Sequence, residues 1–432
     1  MASSEALLSI RAKRLSVDMD YISNYSVGSA LQNPFDETKN PEGIINFGTA
    51  VSGLMDELWL TRFSQQSFFT PDSSHYRYYQ CWGVDTFREA LSKFMNIFFK
   101  PKKPIIFENL YVLNGALLSL DILGFLLADE GESFVFLTPG YNGYYQAGFQ
   151  RWGIHMVPVP LQHNEESGEF ELTVSSVEKV ISDEESKGRR VRAFVFNNPE
   201  NPLGKVFTVE IVKEIMNLCQ RRKIHLIADE IYCMSVFDEN THFHSVLEIH
   251  NPTLLDTNLL HVIWGFSKDL CLTSFRTGVI HTENVSLQNA LKSGSQFQAV
   301  PLPLMHILTN VISDADWFKN KFVPTNHSRL RATYAKCKEF FCKIGFTTTK
   351  STAGFFFLVD LRPLFNPPSQ EASKAFVKKL YAHKIYMTPS WEMGAEHGWF
   401  RFVFTAYSTH GLDIGLARLA AAIDEWKRDI SA

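Results

Sequence analysis

Apolar and polar positions along the chain fall into two alternating textures. IIFENLYVL (105–113), SFVFLT (133–138), HMVPVPL (155–161), RAFVFN (192–197), IHLIAD (224–229), HVIWG (261–265) and GVIH (278–281) are apolar runs of strand length, and they predict buried strands. Between them, FREALSKFMNIFF (87–99) and TVEIVKEIMNLCQRRK (208–223) place apolar residues three and four apart, the spacing of an amphipathic helix. Strands and helices in alternation predict an α/β sheet covered on both faces. From about Leu302 to Phe341 the pattern is helical and the strand pattern stops. GFFFLVDL (354–361), KIYMTP (384–389) and WFRFVF (399–404) then build a smaller strand-and-helix unit that ARLAAAIDEWKRDI (417–430) closes. The expected layout is a turn-rich N-terminal arm over 1–45, a large sheet domain over 46–300 and a small α+β domain over 301–432. The arm, ending in NPFDETKNPEG, is expected to pack with the small domain or a partner subunit.

Composition narrows the class. The 432 residues carry 42 Lys+Arg against 46 Asp+Glu, a formal charge of −4, so the basic surplus of a nucleic-acid binder is missing. At 45% hydrophobic and 20% charged, the chain can bury a large core and is not globally disordered. The aromatic share of 13%, with 36 Phe, favours a tightly packed interior over a repeat array or coiled coil. MASSEALLSIRAKRLSVDMD has basic residues but no apolar stretch between them, so no secretory signal is read there. The longest apolar stretch, around Leu117 to Leu127, is broken by Asp121 and is too short to span a bilayer. Cys81, Cys219, Cys233, Cys271, Cys337 and Cys342 show no CxxC or paired spacing and read as reduced thiols of a cytosolic protein. NxS triplets at Asn24, Asn284 and Asn326 therefore carry little weight as glycosylation sites. A cytoplasmic location without nucleic-acid or membrane partners is expected.

Chemistry concentrates in three segments. In GFSKDLCLTSFRTG (265–278) a buried strand delivers Lys268 to a sheet edge, where α/β folds place their ligands, and Arg276 follows eight residues on. An ammonium buried there is costly, so the lysine is expected to be deprotonated or covalently used, as a Schiff base with a carbonyl cofactor requires. In IHLIADEIYCMSVF, Asp229 and Glu230 follow a strand directly and Tyr232 comes three residues after Asp229. They suit either an acidic helix cap or a carboxylate held against a pyridinium nitrogen. FNNPENPLGKVFT reads as a tight loop after a strand, and it presents Asn201 at the carboxyl end of the sheet.

Together, NPLG, DEIY and SKD…FR, with Lys268, Asp229, Tyr232, Asn201 and Arg276 in this chain order, resemble the pyridoxal 5′-phosphate site of the class I/II aminotransferases. NPEGIINFG, NPENPLG, SKDLCLTSFRTG and GWFRFVF are most similar to the 1-aminocyclopropane-1-carboxylate synthase-like proteins, over about residues 40 to 425. The resemblance implies fold type I, a mainly parallel seven-stranded sheet domain plus a smaller α+β domain. It also implies a homodimer with shared active sites and an α-amino-acid substrate. Lys268 would then carry the cofactor and move protons at the substrate α-carbon, with Asp229 on the pyridine nitrogen and Tyr232 and Asn201 on the phenolic oxygen. Tyr141 would stack on the ring. Arg276 and Ser267, with the backbone at Gly115, Ala116 and Leu117, would hold the phosphate. Arg401, which alone would read as a strand-edge surface residue, would take the α-carboxylate in a bidentate pair. Ala50, Asn201 and Cys81 would complete the substrate side.

The sequence also departs from that family. Gly265 stands where many relatives carry a phosphate-binding serine, and Leu117 where a hydroxyl residue often follows the phosphate cup. Val51, Ser52 and Cys81 replace residues that orient S-adenosylmethionine in the plant enzymes. The expected activity is therefore transamination or β/γ-elimination. Cyclopropane formation from S-adenosylmethionine, or cofactor binding without turnover, are the alternatives. His242, His244 and His250 lack an Asp or Cys that would complete a metal set, and no metal is expected. Dinucleotide and nucleoside-triphosphate motifs are absent.

Overall fold

The computed structural model describes residues 8–15, 27–65, 67–145, 147–148 and 151–431, so Asn24 and much of the N-terminal arm lie outside the described residues. Seven strands form the central sheet: β1 Leu110–Leu113, β2 Ser133–Thr138, β3 His155–Pro160, β4 Val191–Asn197, β5 His225–Asp229, β6 Leu260–Gly265 and β7 Gly278–Thr282. Their spatial order is β1–β7–β6–β5–β4–β2–β3. β7 runs antiparallel to β1 and β6, and the other pairs are parallel. The inner strands are buried on both faces, which is why they read as continuous apolar runs. β3 lies at the edge, exposes alternate residues and tolerates Pro158 and Pro160, which can donate no ladder hydrogen bond.

The helices that matter for the site are α1 Asp85–Phe98, α2 Ala116–Leu127, α3 Val209–Arg222, α4 Leu302–Ile312, α5 Val323–Lys343, α6 Gln370–Ala382 and α7 Thr409–Ser431. Thr208 caps α3 by accepting the Ile211 N–H, and Lys223 ends it in the left-handed region at φ 55°. Strands β8 Phe356–Asp360, β9 Thr388–Pro389 and β10 Trp399–Val403 form an antiparallel sheet in the order β8–β10–β9.

Three expectations shift. IIFENLYVL is strand only over β1, because Phe107–Asn109 form a 3₁₀ turn. KIYMTP splits, with Ile385–Tyr386 pairing in parallel with Ile45–Asn46 while Thr388–Pro389 pairs with β10. The helical run after Leu302 breaks at Asp314, whose carboxylate accepts the Trp317 N–H at 3.0 Å. The apolar cores also divide elsewhere than at 300. Met305, Leu308, Phe318 and Phe322 pack with the large sheet, whereas Leu330 and Cys337 pack with β8, β10 and α6. Phe35, Ile45, Phe47 and Ala50 join that second core. The chain passes between the cores along α5, with no strand to mark the passage.

All six cysteines are unpaired. Asn284 caps a helix by accepting the Leu287 N–H at 3.0 Å, and Asn326 is buried within α5. Among the described residues no helix is long and apolar enough to cross a membrane.

Candidate active site

Where the carboxyl ends of β4, β5 and β6 meet the small sheet, a cavity of about 340 Å³ opens. Strand register explains what faces it. Asn197 and Asp229, the last residues of β4 and β5, are Cα partners, and Asp229 also pairs with Ile263 of β6. Asp229 sits at the cavity wall with two donors, the Tyr144 hydroxyl at 2.7 Å and the Ile231 N–H at 3.3 Å. Lys268, just past β6, lines the same cavity and donates from Nζ to the Ala50 carbonyl. From β10, Arg401 reaches in from the small unit. Its Nη1 donates to Asn201 Oδ1 at 2.7 Å, and its Nη2 donates to Gly48 O at 2.6 Å and Thr388 Oγ1 at 3.3 Å. Arg401 Nε is buried and without a hydrogen-bond partner among the described residues.

Close backbone packing shapes the remaining wall. Gly115, at φ 106°, turns the chain into α2, and a Cβ there would lie 2.5 Å from Arg276 Nη2. Gly278 faces the same turn so closely that a Cβ would meet the Gly115 carbonyl carbon at 2.4 Å. Arg276 is thereby held against the N-terminus of α2, whose first residues Ala116 and Leu117 line the cavity with Ser267 and Thr273. Thr273 Oγ1 donates to the Ser267 carbonyl at 2.9 Å. At Gly265 a side chain would strike the Thr277 carbonyl at 2.7 Å, so the β6–β7 packing leaves no room for a hydroxyl.

Electrostatics follow from burial. Lys268 is held down to about 8, first by burial and then by the Arg401 and Arg276 guanidiniums. Burial pushes Asp229 up to about 6 against the opposing hydrogen bonds from Tyr144 and Ile231. Tyr232 and Tyr144 are raised well above the usual phenol range, again by burial first.

Eleven of the residues singled out from sequence thus line one cavity: Ala50, Ala116, Leu117, Tyr141, Asn201, Asp229, Tyr232, Ser267, Lys268, Arg276 and Arg401, with Gly115 shaping the turn. Tyr141 meets Tyr144 edge-on, with ring centroids 5.4 Å apart. Cys81 does not line this cavity, and its thiol sits 3.7 Å from the Tyr79 carbonyl. Sequence reasoning missed Tyr144, Asn197, Thr273, Thr388, Tyr386 and Glu392. The repeated tyrosines of TPGYNGYY were a signal for Tyr144, whereas Tyr386 and Glu392 carried none. Of the histidines weighed earlier, His244 pairs with Glu248 at 3.1 Å and His250 with the Leu255 carbonyl at 2.8 Å. Among the described residues, Asp72, His75 and His306 form the only group of three whose possible metal-ligand atoms all lie within 4.8 Å of one another. Both His75 nitrogens are already engaged there, Nδ1 by the Asp72 N–H at 3.0 Å and Nε2 by His306 Nδ1 at 3.1 Å.

A mainly parallel seven-stranded sheet with a lysine and a carboxylate converging at its carboxyl edge defines a fold type I, pyridoxal-phosphate-dependent class of protein. The family model described as aminotransferase class I and II matches residues 59–419, and the chain belongs to that family. The human 1-aminocyclopropane-1-carboxylate synthase-like protein 1 (Homo sapiens) is 31% identical over 391 residues, covering 89% of this chain and 77% of the relative. A Mus musculus relative, "Probable inactive 1-aminocyclopropane-1-carboxylate synthase-like protein 2", is 29% identical, covering 91% and 68%. An aspartate aminotransferase double mutant of Thermus thermophilus superposes with a TM-score of 0.74 at 19% identity, covering 96% of this chain and 99% of that one, and shares the fold.

The family cofactor is pyridoxal 5′-phosphate, and the cavity fits it. The glycine pair leaves backbone and Arg276 open where a Cβ would otherwise stand, which suits a phosphate at a helix N-terminus. Asp229 and Lys268 line the same cavity, and a carboxylate and an amine are the groups that a ring-nitrogen partner and a carbonyl-reactive nucleophile would need to be. Leu117 contributes no hydroxyl, so Ser267, Arg276 and backbone N–H groups are the donors a phosphate would meet there, the Thr273 hydroxyl being already given to the Ser267 carbonyl.

Proposed function

We propose that this chain is a pyridoxal-phosphate-dependent enzyme that breaks the Cα–H bond of an α-amino acid and completes transamination or β/γ-elimination. One observation carries the reading: Lys268 and Asp229 line one cavity together with Arg276 and Arg401. When bound, the cofactor supplies an electron-withdrawing ring for the electron pair left at the α-carbon. The protein's own groups do the rest. Arg276, Ser267 and the start of α2 would hold the phosphate, and Asp229 would pair with the ring nitrogen. Tyr232 and Asn201 would donate to the phenolic oxygen, and Tyr141 would stack on the ring.

Arg401 binds the α-carboxylate, its guanidinium already oriented by Asn201, Gly48 and Thr388. Lys268, with its amine held down to about 8, takes the α-proton and returns it, to the α-carbon or elsewhere on the substrate–cofactor framework. The large domain supplies the lysine and the small one Arg401, so closing one on the other excludes water from the proton transfer. A homodimer with shared sites is part of this reading. Equilibrium sedimentation giving only monomer would remove that part.

The test is spectral and chemical. Purified protein loaded with pyridoxal phosphate should show a visible absorbance band that amino acids perturb, and Lys268→Ala should lose it. Keto-acid product identifies transamination, and ammonia with a keto acid identifies elimination. A band that survives in Lys268→Ala sinks the assignment. The second reading, a cofactor-binding protein without turnover, draws support from Leu117, Gly265 and the "probable inactive" relative. It holds if amino acids perturb the band but no product forms.

A further inference from the structure

One carboxylate in the cleft has no task in the chemistry above. Glu392, in the 3₁₀ turn Ser390–Glu392 that follows β9, lines the cavity beside Tyr386 and Met393. Among the described residues its oxygens receive a single donor, the Tyr386 hydroxyl, at 3.2 and 3.4 Å. An ionised carboxylate offers about four acceptor positions, so most of its capacity faces the cavity unused. Among the described residues no lysine or arginine pairs with it; Arg401 acts on it only through space.

The turn is held in place. Gly140 N–H donates to the Met393 carbonyl at 2.8 Å, and Gly394 packs so tightly on Thr138 that a Cβ would lie 3.0 Å from its Cγ2. Glu392 is thus fixed over the end of β2 by backbone contacts, as a specificity group must be.

Charge in the cleft is otherwise committed. The described lining residues include three permanent or potential cations, Lys268, Arg276 and Arg401. Cofactor attachment, phosphate and α-carboxylate use all three. A substrate with a second carboxylate finds no further cation among the described lining residues, and meets Glu392 instead.

We propose that Glu392 selects α-amino acids whose side chain ends in a positive charge (an ammonium, guanidinium or sulfonium) and disfavours dicarboxylic ones. This rests on the reading of the cleft as an amino-acid site. Burial raises the Glu392 carboxyl and Arg401 opposes that rise, so an arriving cation further favours the ionised form.

Difference-absorbance titrations of the pyridoxal-phosphate-loaded protein with L-lysine, L-arginine, S-adenosylmethionine, L-norleucine and L-glutamate test it. Norleucine matches the lysine chain without its charge. Lysine or arginine should bind at least about 10-fold tighter than norleucine, and glutamate should bind weakest. Glu392→Gln should lower the lysine-to-norleucine affinity ratio about 10-fold, and Glu392→Lys should raise the glutamate-to-norleucine ratio. An unchanged ratio in Glu392→Gln, or glutamate binding wild type as tightly as lysine, overturns the inference while leaving the amino-acid reading intact. If none of the probes, norleucine included, perturbs the spectrum, the amino-acid reading falls and this inference with it.

Discussion

At the scale of single residues, the Lys268 amine and the Arg401 guanidinium are coupled through a shared low-dielectric cleft. Only a neutral amine attacks an aldehyde, and Lys268 is held down to about 8 by burial, Arg401 and Arg276. Capture of pyridoxal phosphate by cofactor-free protein should therefore accelerate with pH through about 8 and level off above it. In Arg401→Ala the midpoint should move upward, since one of the depressing cations is gone; stopped-flow absorbance across pH 6.5–10 reads both. A wild-type midpoint near the ordinary lysine range would contradict this. Arg401 also carries a second expectation. Arg401→Lys keeps the charge but loses the planar fork, and a lost hydrogen bond to a charged group is worth about 1.5–3 kcal/mol. Amino-acid Kd should rise about 10- to 100-fold, with the cofactor band retained. A change under threefold would show that Arg401 does not receive the carboxylate.

At the scale of elements, the turn from β1 into α2 is the part of the cleft most exposed to a small change. Gly115 sits at φ 106° with Arg276 Nη2 2.5 Å from the place of a Cβ. Gly115→Ala should cost about 1–3 kcal/mol of backbone strain and displace the arginine as well. The expected outcome is a modest fall in Tm in cofactor-free protein and a larger loss of pyridoxal-phosphate affinity, measured by fluorescence titration. Equal affinity would mean the arginine is not at the phosphate. How far these elements were legible depends on burial. β2, β4, β5 and β6 are covered on both faces, so their sequences are unbroken apolar runs, and the residues at their ends could be placed at one edge. The β9 segment is two residues long and shares KIYMTP with a different pairing, so periodicity could not separate them. Glu392 lies in a turn with no motif, and only the folded cavity wall shows that it faces the cleft. The phenylalanine surplus also acquires an address. Phe341, Phe357, Phe402 and Phe404 pack ring on ring in the small core, with centroids 5.1–6.0 Å apart, while Trp59, Trp317, Phe318 and Phe322 do so in the large one.

At the scale of the whole molecule, the cleft is built over buried acids, and their cost should appear as a pH dependence of stability. Burial pushes Glu200 and Glu230 up to about 8, and Asp229 and Asp269 up to about 6. For a group whose folded pKa is raised, the folded state binds the extra proton, so its contribution is full below the unfolded pKa and is lost as pH rises through the folded one. For the two glutamates that window runs from about 4.5 to about 8. Buried histidines work oppositely. His225 and His281 are held down to about 4, so their contribution is present above about 6.5 and is lost as pH falls toward 4. Lys268 is likewise depressed, and its effect falls between about 8 and 10.5. The interval from pH 6.5 to 8 is therefore left to Glu200 and Glu230. Cofactor-free protein should lose stability across it, by up to about 1.4 kcal/mol per pH unit for each proton. Glu230→Gln, which can still accept one of the two hydrogen bonds from Ser245 and Val246, should flatten that slope by about one proton. Urea unfolding at half-unit pH intervals measures it. Stability that is flat or rising from pH 6.5 to 8 in the wild type would show that these carboxyls are already ionised in the folded protein, and that water or a cation reaches them behind the cleft.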